Sequence, residues 1–414
     1  MQLLIKNLRQ LVTVANGGKP WKAGPAMRDL GVIEDGALFI ENDLITWTGP
    51  TKDFRHSLEE GAEVIDGSAF VALPGFVDSH THLVFAGSRE DEFALRAEGA
   101  TYQEIAARGG GILSTVRSTR QSSKKDLKKL AARRLDAMMQ HGTTTVEIKS
   151  GYGLEPDTEI RMLEAIRELS DEHYMTIVPT FLGAHAVPPE YADRGDEYVD
   201  LIIHHMLPYV AKRNLAVFCD VFCERGYFSP EQSKRILLAA LELGLKPKLH
   251  ADELAASGGS LLAAEIGAVS ADHLEHIDPP GIRRLQEKGV VAVLLPGVSF
   301  FLNHGYAPAR DLIDSGVPVA IASDFNPGSC MSFDMPLMAT IACAHMNMTP
   351  EEAITALTLN GAAALGMSDR VGSLEPGKQA DIILCEIPNY RYLAYHFGTQ
   401  HVHTIIKRGT ILEF

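Results

Sequence analysis

No apolar run in these 414 residues approaches the roughly 20 that a membrane-spanning helix needs. The first 18 residues carry Lys6, Arg9 and Gln10 and lack the apolar core of an export signal. Cysteine is scarce: Cys219, Cys223, Cys330, Cys343 and Cys385 are odd in number and mostly set in apolar runs. That excludes a disulfide framework and predicts reduced thiols in a cytoplasmic protein. Cys219 and Cys223 have no second pair, so a structural zinc site is not expected. Basic charge is also short, with 38 Lys and Arg against 53 Asp and Glu and a net charge of −15. Without a Lys/Arg stripe, nucleic acid is not expected as a partner. An acidic balance still permits an anionic substrate, because a few buried cations reverse the local sign. Internal repeats and low-complexity segments are absent.

Hydrophobic residues make up 46% of the chain, enough for a large core. Residues 1–72 hold short apolar segments between turn signals, and Glu41-Asn42-Asp43 reads as a hairpin turn. Residues 368–414 read the same way, with Ala380–Cys385, His401–Lys407 and Thr410–Leu412 as strands. Between them, eight apolar strand candidates alternate with helical patterns: Phe76–His80, Thr143–Lys149, Thr176–Gly183, Ala216–Cys223, Lys246–His250, Ala268–His273, Val290–Leu295 and Pro318–Asp324. Ser123 reads as an N-cap, and Thr349-Pro350-Glu351-Glu352 as a capping box. The expected class is therefore α/β. A (β/α)8 TIM barrel spans 73–367, and a small β-sandwich domain is formed by both termini, 1–72 and 368–414.

The sharpest local signal is Asp78-Ser79-His80-Thr81-His82. Alternation along a strand puts His80 and His82 on one face, where two imidazoles can share a metal. His250, His273 and Asp324 fall at three later strand ends. His80, His82, His250 and Asp324 together make a three-imidazole, one-carboxylate set that suits zinc or iron and leaves a position for water. His276 reads as a capping or hydrogen-bonding residue.

His-x-His on strand one, His on strands five and six, and Asp on strand eight resemble the amidohydrolase superfamily. Gly372-Ser373-Leu374-Glu375-Pro376-Gly377-Lys378-Gln379-Ala380-Asp381 is similar too. Strand four ends Asp220-Val221-Phe222-Cys223-Glu224, without the Lys that holds a second metal in many members, and Lys149 lies on strand two. One divalent or trivalent ion is expected, with Glu224 as a second-metal ligand the competing reading. Segments 82–90, 108–112, 147–154, 181–188, 250–253 and 323–329 resemble the imidazolonepropionase family. The resemblance implies hydrolysis of 4-imidazolone-5-propanoate to N-formimidoyl-L-glutamate in histidine breakdown. It also implies a homodimer, and substrate contacts at Arg89, Tyr152 and His185.

Arg89 offers a fork of N–H donors that matches a carboxylate tail on a small-molecule substrate. Tyr152 and His185 are read as further donors. Asn326, Gly328 and Ser329 are expected to border the metal and bind substrate, the glycine run 109–111 reads as a flexible lid over the pocket or a tight loop, and Tyr102 could reach the site from the same region. In the expected chemistry a metal-activated water attacks the ring carbonyl. The metal or His273 steadies the oxyanion, and Glu253 or Asp324 moves the proton. The alternative is a deaminase of a heterocyclic base, which would leave Arg89 without a tail to bind.

Overall fold

The computed structural model describes residues 2–100, 104 and 109–413. Strand β1 (Gln2–Val12) organises the terminal sheet. It runs antiparallel to β2 (Val32–Glu41), which returns through β3 (Leu44–Pro50). Glu41 pairs with Leu44, and Asn42 takes φ +59°, so the expected hairpin turn forms on a residue that tolerates the left-handed region. The start of β1 pairs in parallel with β4 (Glu63–Asp66), and its end with β5 (Val71–Pro74).

Eight parallel strands follow: β6 (Phe76–Asp78), β7 (Thr143–Lys149), β8 (Thr176–Ala184), β9 (Phe218–Cys223), β10 (Lys246–Ala251), β11 (Ser270–His273), β12 (Val291–Leu294) and β13 (Val319–Ile321). They pair in sequence order, with helices between them, as a (β/α)8 barrel requires. The seam between β13 and β6 closes just beyond the strand ends. There Thr81 bridges Phe325, His82 N–H donates to the Phe325 carbonyl at 3.0 Å, and Asp324 N–H donates to that of His80 at 3.0 Å. Barrel closure and convergence of the predicted ligands are thus one event.

The chain then returns to the terminal sheet through β14 (Ile382–Cys385), β15 (Val402–Lys407) and β16 (Thr410–Leu412), with β14 against β5. The sheet curls into the expected sandwich around its own core, with Leu3, Ile5, Leu38, Ile40, Ile382 and Ile406 buried. Lys407 ties it to the barrel floor, donating to Asp381 at 2.6 Å, to the Thr144 carbonyl at 2.9 Å and to Thr176 Oγ1 at 2.8 Å. The predicted caps form as well. Ser123 Oγ accepts from Asp126 N–H, and Thr349 and Glu352 exchange both capping-box bonds. Among the described residues, no helix is long and apolar enough to cross a membrane.

Candidate active site

The parity of the barrel strands brings the four predicted ligands together. His82 Nε2 lies 3.2 Å from Asp324 Oδ1, His80 Nε2 lies 3.4 Å from the same oxygen, and His250 Nε2 lies 3.4 Å from His82 Nε2. Donors about 2.0–2.1 Å from a tetrahedral ion stand about 3.3–3.4 Å apart, so these three separations suit a zinc-sized ion, although the groups within mutual reach are His80, His82 and Asp324 on one side and His80, His250 and His273 on the other. The proton inventory agrees. His80 Nδ1 hydrogen-bonds Asp272 Oδ2 at 2.6 Å, which turns its Nε2 to the cluster, and His250 Nδ1 lies 3.0 Å from Asp220 Oδ2 without completing a hydrogen bond. His80 Nε2 and Asp324 Oδ1 are buried without a hydrogen-bond partner. Acceptors facing acceptors in a buried site are what a cation resolves. Asp324 takes φ +48° and His273 φ +80°, left-handed conformations that are costly away from glycine and cluster at functional sites.

Beneath the ligands lies an ionic layer that sequence reasoning missed. Lys149 Nζ reaches Asp220 at 2.7 Å and Glu147 at 2.9 Å, and Lys248 Nζ reaches Glu147 at 3.0 Å, all fully buried. Burial favours neutral Asp272, but Lys248, the His80 hydrogen bond and Lys149 outweigh it and hold the carboxyl below its usual range. Lys149 and Lys248 thus keep Asp220 and Asp272 ionised where they orient His250 and His80. Lys149 is a counter-ion here. His80, Glu147 and Asp272 lie close enough to suggest a further cation site, but the two ammonium groups already fill that role.

Glu224 does not turn to the ligand cluster. It accepts from Leu254 N–H at 2.9 Å and from Ser257 Oγ, while Asp252 accepts four backbone N–H groups from residues 257–260. Two carboxylates therefore pin the loop that carries Glu253. Burial, reinforced by Glu275, Asp324 and Glu224, pushes the Glu253 carboxyl well above its ordinary range. Its Oε2 lies 3.6 Å from His273 Nε2. Burial lowers His273 to about 3, so that imidazole is neutral. His276 N–H donates to the Asp252 carbonyl at 2.8 Å, a backbone bond.

These groups open on a cavity of about 290 Å³, whose lining includes every predicted substrate residue. Tyr152 follows β7 and His185 follows β8, and His185 stacks on His82 with ring centroids 4.9 Å apart. Burial brings His185 down to about 3. Its Nδ1 donates to the Gly151 carbonyl at 3.0 Å, so Nε2 offers an acceptor where a donor was expected. Burial and Asp324 keep Tyr152 a neutral phenol. Asn326 borders the cavity as predicted, but both ends of its amide serve the loop. Nδ2 donates to Asp324 O and Ser329 Oγ, and Oδ1 accepts from Gly328 and Ser329 N–H. Ser329 Oγ touches Asp324 Oδ2 at 3.4 Å. Tyr102 lies outside the described residues.

Gly328 is required for a reason of space. A Cβ there would meet Arg89 Nη1 at 2.1 Å and Cζ at 2.9 Å, so the tip of the guanidinium occupies the space a side chain would need. Gly328→Ala is expected to displace Arg89 and raise KM about tenfold, leaving kcat within about twofold, as removal of a ground-state contact does. Steady-state kinetics checks this.

Residues 71–412 match the Amidohydrolase family. The chain is 50% identical over 414 residues to the imidazolonepropionase of Geobacillus kaustophilus (strain HTA426), covering 99% of this chain and 97% of that one. It is also 50% identical over 411 residues to the imidazolonepropionase of Parabacteroides distasonis, covering 99% and 98%. The chain belongs to the imidazolonepropionase family. All six segments that resemble imidazolonepropionases contribute a residue to the cavity lining: His82 and Arg89, Ile112, Tyr152, His185, His250 and Glu253, and Asp324 with the residues after it. The solved E. coli guanine deaminase shares the fold of this imidazolonepropionase family member, with a TM-score of 0.75 over 99% of both chains. Identity there is 18%, which speaks to fold alone.

Proposed function

We propose that the chain hydrolyses the cyclic amide C–N bond of 4-imidazolone-5-propanoate to give N-formimidoyl-L-glutamate. One observation carries the reading: a single small cavity is lined by the ligand cluster, Glu253 and the guanidinium of Arg89. A ring with a short carboxylate tail has a use for all three. His80, His82, His250 and Asp324 would hold one zinc or iron ion. When bound, the ion supplies Lewis acidity and water that ionises near neutral pH.

The chain's own residues do the rest. Arg89 binds the propionate and Tyr152 adds a neutral donor, so binding energy from the tail fixes the ring carbonyl above the ligand cluster. Neutral His273 donates to the carbonyl oxygen as charge develops there. Glu253 takes the proton of the attacking water and returns it to the ring nitrogen as the C–N bond breaks, so one water is consumed and nothing else is released. Burial lifts Glu253's proton affinity, so in its ionised form it takes the water's proton and holds it until the ring nitrogen accepts it. A homodimeric, cytoplasmic enzyme of histidine breakdown is part of the same proposal.

The test is substrate choice. Metal-replete protein is mixed separately with 4-imidazolone-5-propanoate and with guanine, and loss of ring absorbance is followed. The expected result is turnover of the imidazolone alone. Turnover of guanine alone would overturn the reading.

A further inference from the structure

Arg89 is not a free cation waiting for a substrate. Its Nε and Nη2 donate to one oxygen of Glu92, at 2.9 and 2.7 Å, and both side chains are largely buried. The other Glu92 oxygen accepts the Gly111 N–H at 3.1 Å. Gly111 takes φ +79° and ψ −166°, a conformation reserved for glycine, and caps the helix Ile112–Gln121. Glu92 therefore joins the arginine at the cavity wall to the end of the glycine run.

We propose that Glu92 is a positioning residue for the substrate's carboxylate, holding one edge of Arg89 so that the other edge faces the cavity, and tying that orientation to Gly111. The inference rests on the substrate reading above. A guanidinium has two edges that can grip a carboxylate with paired N–H groups. Glu92 takes the Nε–Nη2 edge, which leaves the Nη1–Nη2 edge free. Gly328 lies beside Nη1, where an added Cβ would stand 2.1 Å from it. A second carboxylate could then meet Arg89 only end-on.

Charge favours the same arrangement. Arg89 paired with Glu92 alone is neutral and would attract an anion weakly. Arg96 lines the same cavity, with its guanidinium 4.8 Å from the Phe301 ring. The trio therefore carries one net positive charge, matching a single carboxylate tail.

The experiment compares wild type with Glu92→Ala and Glu92→Gln. Each is assayed on 4-imidazolone-5-propanoate and on an analogue with ethyl in place of the propionate. The expected result for Glu92→Ala is KM raised about tenfold or more on the carboxylate substrate, with kcat within about twofold, and unchanged kcat/KM on the ethyl analogue. The Gly111 amide should exchange faster in Glu92→Ala than in Glu92→Gln, whose carbonyl still accepts that hydrogen bond. Unchanged KM, or equal losses on both substrates with a lowered Tm, overturns the proposal. Binding of inert imidazole-4-propanoate separates this inference from the reaction. If wild type binds it but does not hydrolyse the imidazolone, the reaction is wrong, and about tenfold weaker binding by Glu92→Ala still supports Glu92. Equal binding by the two overturns it.

Discussion

Glu253→Gln is expected to lower kcat by about 10²- to 10⁴-fold, the usual worth of a positioned acid–base group, and to leave KM within a few-fold. The substitution keeps the shape and removes only the capacity to carry a proton. Asp252 and Glu224 anchor the loop that follows residue 253 through backbone hydrogen bonds, so the amide should occupy the same place. None of the four ligands is touched, and bound metal should match wild type. Rate and metal content measured on one preparation check this. Full turnover in Glu253→Gln would pass the proton to Asp324, the other carboxylate at the cavity floor.

His250→Ala is expected to be more severe, with loss of bound metal and a fall in kcat/KM of at least about a thousandfold. Removing this imidazole leaves Asp220 ionised and buried without the ring it orients. Asp272→Asn makes a graded comparison. It retains all four ligands but alters the acceptor that fixes the His80 tautomer, and losses of an outer-shell partner run about 10- to 100-fold in affinity or activity. Metal analysis after gel filtration should therefore rank wild type above Asp272→Asn and Asp272→Asn above His250→Ala. Equal metal in all three would remove His250 from the ligand set.

The strands were legible because each is an apolar run between turn residues, and period-two alternation carried His80 and His82 to one side. Strand ends were less legible. Pro318–Asp324 shrinks to Val319–Ile321, and Phe76–His80 to Phe76–Asp78. At these ends the ladder gives way to side-chain placement, and the expected strands ran into the ligands themselves.

The ligands could be read because strand order converts sequence positions into neighbours. The ionic layer could not, because its partners are far apart in the chain and sit inside otherwise apolar strands. Lys149 meets Asp220 71 residues on, and Lys248 meets Glu147 101 residues back. The available signal was a charge two residues before a strand-end polar group, as in Glu147–Lys149 and Lys248–His250, which alternation places inside a barrel. Glu92 hid for the opposite reason. Three residues from Arg89 on a helix, it reads as an ordinary surface pair, and only Gly111 and Gly328 in space give it another meaning.

The central claim is that one ion, held by His80, His82, His250 and Asp324, suffices for the reaction. Metal-free protein titrated with zinc, or with ferrous iron under anaerobic conditions, tests it most directly when hydrolysis of 4-imidazolone-5-propanoate is followed at each addition. The account predicts that turnover rises linearly and stops rising at one equivalent per chain. A requirement for two equivalents, or full turnover before any metal is added, would contradict it.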